Sequence, residues 1–281
     1  MEKALERAKL LVEALPYIQR FRGKLMVVKL GGKIFENPPL LDDCARDLLL
    51  LKTVGMEPVV VHGGGPQLDR MLDRLGVETR KVNGLRVTDE KTMEVVEMVL
   101  AGQLNREMVM RINLVGGKAV GLAGKDGMMI LARPVMDGKL GAVGEVAQID
   151  TSLILELAKS GVIPVIAPIG VDEQGKIYNL NADMAAGAIA AELRAEKLIL
   201  LTDVEGVKDL QGNFLSSLHA GQASEMIRQG AISGGMIPKV NCCLEALRSG
   251  VVKAHIIDGR VPHSLLLEIL TDKGFGTEIY L

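Results

Sequence analysis

Leu25-Met26-Val27-Val28-Lys29-Leu30-Gly31-Gly32 and Pro58-Val59-Val60-Val61-His62-Gly63-Gly64-Gly65-Pro66 each join a short apolar run to a glycine cluster. A run apolar at successive positions reads as a strand covered on both faces, the pattern of a parallel sheet. Three more runs read the same way: VIPVIAPI at 162–169, KLILLT at 197–202 and AHIID at 254–258. Helical patterns lie between them at about 41–54, 66–75, 89–115, 151–160, 182–194, 220–229, 239–249 and 262–270. The βαβα order predicts helices on both faces of the sheet. Pro66, Thr88 and Asp150 are the expected start signals of three helices, and DEQGK at 172–176 and LQGN at 210–213 are expected hairpin turns.

The two glycine clusters decide where chemistry is expected. Both follow strands directly, at the strand ends where α/β sheets bind ligands. Glycine lets backbone N–H groups approach an anion, and a helix starting at Pro66 aims its positive end at the same place. One such turn alone is more often just a tight turn; two at consecutive strand ends point to an anionic ligand. HGGGP is not GxGxxG, which weakens a dinucleotide fold. GLAGKDG at 121–127 lacks the spacing and the Ser/Thr after Lys of a P-loop.

Several polar residues carry two readings. Lys29, at a strand end, reads as a snorkelling lysine or as a catalytic one. Lys239 falls in the first turn of a helix, where a cation is unfavourable unless an anion compensates it. Asn179, Asn181 and Asp183 alternate ahead of a helix of small residues; one N-cap satisfies that helix, so three polar groups ask for a further role. Arg86 reads as a solvated hairpin arginine or as a fork for a carboxylate.

Composition excludes other classes. The 281 residues are 48% hydrophobic, and 33 Lys+Arg against 35 Asp+Glu leave a formal net charge of -2. No basic field attracts nucleic acid or anionic lipid, and the absence of Trp removes stacking surface. Cys44, Cys242 and Cys243 show no CxxC or Cys/His spacing, which points to neither a disulfide framework nor a zinc site and predicts a cytoplasmic setting. The leading MEKALERAKLLVEAL is charged throughout, unlike a secretory segment, and no apolar run reaches membrane-spanning length. Residues 4–21 predict an extra helix with Ala4, Ala8, Leu11, Val12, Leu15 and Ile18 on one stripe. It reads either as docked on its own domain or as interlaced with a second subunit, and the pattern alone favours docking.

In order, KLGG at 29–32, VHGGGP at 61–66, NGLRVTDE at 83–90, NLNAD at 179–183, LLTDVEGV at 200–207 and GGMIPKV at 234–240 resemble the amino acid kinase family over essentially the whole chain. Within it, the chain resembles the arginine-sensitive branch that acts on N-acetyl-L-glutamate. The resemblance implies a three-layer α/β/α sandwich with a mainly parallel central sheet and two lobes around a cleft. It implies an interlacing helix at 1–22, an N-lobe at 23–195 for acetylglutamate binding and dimerisation, and a C-lobe at 196–281 for ATP and arginine. Lys29 and Lys239 are implied to stabilise the transferring phosphoryl group, with Asp183 holding both. Gly64, Gly65, Arg86, Asn179 and Asn181 are implied to bind acetylglutamate. Gly31, Gly32, Thr202, Asp203, Val204, Gly206, Val207, Gly234, Met236 and Ile237 are implied to line the ATP site, with Mg2+ carried mainly by the ATP phosphates. Tyr17, Lys197, His263, Glu268 and Gly274 are implied to surround L-arginine as an inhibitor, in a hexamer built as a trimer of dimers.

The segment KIFENPP at 33–39 departs from sensitive relatives, and Lys33 and Glu36 receive no role from the resemblance. His62 is expected to be structural. The alternatives are a related acyl-phosphate-forming kinase and a non-catalytic arginine or nucleotide sensor; the latter is disfavoured because Lys29, Asp183 and Lys239 are all present.

Overall fold

The Leu25–Leu30 strand sits at the centre of an eight-stranded sheet, hydrogen-bonded in parallel to Glu57–His62 on one side and Lys197–Thr202 on the other. This computed structural model describes residues 2–82, 84–271 and 274–281, and of these the side chains other than those of residues 2–4, 7, 8 and 10. Asn83, and the side chains of Ala4 and Ala8 in the expected stripe, lie outside the described residues. Beyond Glu57–His62 come Ile163–Ala167 and Ala119–Ala123; beyond Lys197–Thr202 come Lys253–Asp258, Thr277–Tyr280 and Ser217–His219. Within this sheet the Lys253–Asp258 and Thr277–Tyr280 pairing is antiparallel and the others are parallel. The sheet is therefore mostly parallel, as expected, and runs unbroken across the 195/196 boundary.

The side-chain period of two assigns each strand residue to a face. Met26, Val28 and Leu30 belong to one core with Leu41, Leu48 and Met108, from the helices Pro38–Thr53 and Asn105–Leu114. Val27 belongs to the other core with Ala186, Ile189 and Ala190 of the Ala182–Glu192 helix. Lys29 is on Val27's side of the pleat, so it is aimed at the start of that helix. The helix is built of small residues because it is enclosed between the sheet and the Met236–Arg248 helix: a Cβ on Gly187 would lie 2.7 Å from Cys242 Sγ.

Several expectations are corrected. The run 162–169 is two strands, Ile163–Ala167 in the main sheet and Ile169–Val171 in a small closed barrel with Ile130–Pro134, Val143–Ile149 and Ile177–Leu180. The expected helix at 89–115 is α-helical over Glu90–Glu97 and Asn105–Leu114 but π-helical over Met98–Leu104. Its cap is Asp89, whose carboxylate accepts from Thr92 N at 2.8 Å; Thr88 is buried and its hydroxyl donates to the Arg86 carbonyl. The hairpin signals hold, the first joining Ile169–Val171 to Ile177–Leu180 and the second Val207–Lys208 to Phe214–Leu215. The leading helix spans Glu2–Phe21, but Leu11, Val12 and Leu15 of its stripe are exposed, at 74, 67 and 46%. The docked reading therefore fails for that stretch, and among the described side chains of this helix Tyr17 and Phe21, in its last turns, reach the core.

Candidate active site

The carboxyl ends of the three adjacent central strands supply one floor. Gly31 and Gly32 follow Leu25–Leu30, Gly63–Gly65 follow Glu57–His62, and Asp203 follows Lys197–Thr202. The connections after the neighbouring strands run to opposite cores, through Leu68 and Leu72 on one side and Val240 and Leu244 on the other, which opens a crevice. Close packing demands the glycines: a Cβ on Gly32 would meet Pro66 Cδ at 2.8 Å and Gly64 Cα at 3.2 Å.

Asp183 sits above this floor, in the first turn of the Ala182–Glu192 helix. Its Oδ1 lies 2.6 Å from Lys29 Nζ and its Oδ2 3.0 Å from Lys239 Nζ. Burial opposes ionisation of this carboxyl, but the two ammonium groups outweigh it and hold the group below the usual carboxylate value. One carboxylate thus fixes two cations from the central strand and the Met236–Arg248 helix. Asn181 caps the helix, its side-chain oxygen accepting from Asp183 N at 2.9 Å and Met184 N at 3.1 Å. The capping leaves its NH2 free to donate. Cys242, on the helix of Lys239, donates its thiol to the Asp183 carbonyl at 3.0 Å.

On one side of the lysine pair a cavity of about 230 Å³ is lined by Gly64, Gly65, Arg86, Asn179 and Asn181, with Leu85, Leu100 and Val143 as apolar wall. All five residues expected for the acyl substrate are brought together there. Arg86 is no solvated hairpin arginine: it is buried, its guanidinium donating to Thr79 and paired with Asp69. Asn179 donates to the Thr88 hydroxyl at 3.3 Å.

On the other side, a cavity of about 220 Å³ is lined by Lys29, Gly31, Gly32, Thr202, Asp203 and Lys239. It shares Asp203 and Arg260 with a second of about 460 Å³, lined also by Val204, Gly206, Val207 and Met236. Gly234 and Ile237 do not line these cavities: Gly234 takes a left-handed turn (φ +55°) before the helix, and Ile237 packs on the core. Lys33, given no role by the sequence, reaches Asp203 at 2.6 Å. Arg260, also missed, pairs with Asp258 at 2.7 Å. Lys33 directly follows the first glycine cluster but received no role from the resemblance, Arg260 follows no motif, and both reach the cavity through the fold.

A separate cavity of about 360 Å³ gathers Tyr17, Lys197, Glu268 and Gly274 with Arg20, Lys253 and Glu278. His263 does not line it. Its ring lies 2.6 Å from Asp47 and 3.7 Å from Asp43, and the Asp47 contact raises its pKa. The histidine that touches two of this cavity's residues is His255, which was missed because it sits inside an apolar strand. Its Nδ1 lies 2.6 Å from Glu268 and its Nε2 3.1 Å from Lys197 Nζ. Burial lowers the pKa of His255 despite Glu268, consistent with a neutral ring that accepts from Lys197 and donates to Glu268. His62, likewise buried, is lowered to about 4 and is held by Asn105 and the Gly63 carbonyl, as a structural histidine should be.

The chain is similar to known proteins over nearly all of its length. The acetylglutamate kinase of Heliobacterium modesticaldum is 54% identical over 294 residues, covering 99% of each chain. Among solved structures, N-acetylglutamate synthase from Neisseria gonorrhoeae complexed with coenzyme A and N-acetyl-glutamate superposes with a TM-score of 0.88 at 28% identity. The match covers 98% of this chain and 63% of that longer one. The same synthase complexed with coenzyme A and L-arginine gives 0.83 at 29% identity, over 97% of this chain and 65% of the other. The sequence profile of the amino acid kinase family matches residues 24–258. With the greater part of its length so matched, the chain belongs to the amino acid kinase family, in company with its acetylglutamate kinases.

Proposed function

We propose that the chain transfers the γ-phosphoryl group of MgATP to the side-chain carboxylate of N-acetyl-L-glutamate, giving N-acetyl-L-glutamyl 5-phosphate and ADP. The observation that carries this reading is the Lys29–Asp183–Lys239 bridge, which lies between a cavity with a guanidinium and two amides and one lined by glycine backbone and cations. Arg86 would take the α-carboxylate, its fork already held by Asp69 and Thr79, while Asn179 and Asn181 orient the rest of the molecule. The side-chain carboxylate, with a reference pKa of about 4.3, is already ionised at neutral pH, so no general base is needed. The barrier is the approach of two anions. Lys29 and Lys239, with the N–H groups of the glycine turns, offset that repulsion and hold the partners in line.

Asp203, which lines the phosphate cavity, and Asp183, which bridges two of its lysines, are both engaged by lysines. Magnesium therefore fits best on the nucleotide's own phosphates, where it would neutralise charge. The cavity at Tyr17, Lys197, Glu268 and Gly274 offers carboxylates for a guanidinium and cations for a carboxylate, which suits L-arginine as a feedback inhibitor. The likeness to a synthase solved with L-arginine supports that reading.

The test incubates purified protein with magnesium, ATP and a panel of acyl acceptors, and traps the acyl phosphate with hydroxylamine. Hydroxamate from acetylglutamate is expected, with arginine raising the acetylglutamate concentration required. Preference for free glutamate or aspartate would reassign the substrate.

A further inference from the structure

We infer that Lys33 is a further nucleotide-contacting residue, a third cation that moves from Asp203 onto the β- or γ-phosphate of the bound nucleotide. The inference rests on the nucleotide reading of the adjoining cavities.

Lys33 lines the same cavity as Lys29, Lys239 and the Gly31-Gly32 turn. It stands on a rigid base: it belongs to a single turn of 3-10 helix, Gly32–Glu36, anchored on both sides. Gln67 donates to the Gly32 carbonyl at 2.8 Å, and Ile34 and Phe35 are buried in the core. Lys33 alone of those neighbours carries a long flexible stem toward the cavity mouth.

Its partner comes from the opposite wall. Asp203 Oδ2 lies 2.6 Å from Lys33 Nζ, with side chains 41 and 64% exposed, so a solvent-exposed pair of cavity-lining residues links the Gly32–Glu36 turn to the end of the Lys197–Thr202 strand. The nearer carboxylate in sequence, Glu36, is engaged by Arg70. An ion pair so open to water contributes little to stability and is readily exchanged. A di- or triphosphate entering here brings several negative charges to the same place, and a charge-assisted bond to phosphate is the stronger alternative for the ammonium. Asp203, released, keeps positive neighbours in Lys239 and Arg260. An ordinary surface pair would have no reason to bridge the two walls of a cavity lined by the lysines proposed to meet phosphate.

Calorimetric titration of the full-length chain with AMP, ADP and a non-hydrolysable ATP analogue, each with magnesium, distinguishes the cases. In Lys33→Met, the ATP analogue is expected to bind about tenfold more weakly, the loss of one charge-assisted bond, with ADP losing as much if Lys33 meets the β-phosphate and little if it meets the γ-phosphate. AMP affinity should stay within about twofold, because AMP lacks the contacted phosphates. Lys33→Arg should recover most of the loss, the thermal midpoint should not move, and KM for MgATP should rise while that for acetylglutamate does not. Unchanged ADP and analogue affinities in Lys33→Met overturn the inference, as does an equal loss for AMP, which marks a structural effect. Failure of the wild-type chain to phosphorylate acetylglutamate would instead strike the proposed function and leave the nucleotide arms to decide on Lys33.

Discussion

Lys29, Asp183 and Lys239 are each unremarkable alone: a strand-end lysine, a helix-start aspartate and a lysine one turn into another helix. Their meaning comes from meeting with 2.6 and 3.0 Å contacts in a nearly closed place, where removing one member changes what the other two can do. Lys239 is the member best suited to mutation, since its side chain is 20% exposed and Asp183 keeps Lys29 as partner when it is gone. Lys239→Ala should fold normally and lower kcat by roughly 10²–10³-fold, the scale of losing one preorganised group that acts in the transition state. KM for acetylglutamate should change little. Steady-state kinetics with a circular-dichroism melt checks both halves, and near-normal turnover would refute the role. The sequence made Lys239 legible through its awkward position near a helix N-terminus, whereas Lys33 and Arg260 carried no such signal.

At the level of elements, the least foreseen feature is the π-helical turn Met98–Leu104 inside what reads as one long amphipathic helix. Periodicity places a helix but does not register a single wider turn, because seven residues are too short a window to tell the π period from the α period. That turn lays Leu100 and Leu104 against Gly64, where a Cβ would come within 2.5 and 2.4 Å of their methyl groups. Gly64 has an extended backbone (φ 178°), so its requirement is space and not conformation. Gly64→Ala should therefore destabilise the chain by roughly 1–3 kcal/mol, the range for overpacking a filled site. It should also raise KM for acetylglutamate more than KM for ATP, since Gly64 and Leu100 line the first cavity. Differential scanning calorimetry with two-substrate kinetics measures this, and wild-type values in both would show that the leucines simply move aside. The barrel strands were illegible for a related reason. They are short and half wet, as in Val143–Ile149, where buried and exposed positions do not alternate cleanly.

For the whole molecule, the leading helix joins an exposed apolar stretch to a polar cavity. Leu5, Leu11, Val12 and Leu15 face solvent, while Tyr17 and Phe21 at its end line the cavity proposed for arginine. In the hexamer that the family resemblance implies, these leading helices would interlace between dimers, which would tie assembly to the effector site. Deleting residues 1–20 should leave a folded enzyme that turns over acetylglutamate, sediments as a smaller oligomer and no longer responds to arginine. Analytical ultracentrifugation beside an arginine titration reads both outcomes, and an unchanged oligomer would remove the interlacing proposal.

The sequence alone determined the mostly parallel sheet, its glycine-lined crevice, and the lysines, aspartate and asparagines gathered there. Strand burial and tight turns leave local marks: continuous apolar runs, and glycines where no side chain fits. Only the tertiary structure decided that Asp183 bridges both lysines, that Arg86 is buried on Asp69, that Lys33 reaches Asp203, and that His255 and not His263 lies beside Glu268. Each is a contact between residues far apart in the chain, set by which strands neighbour one another and how closely two helices pack.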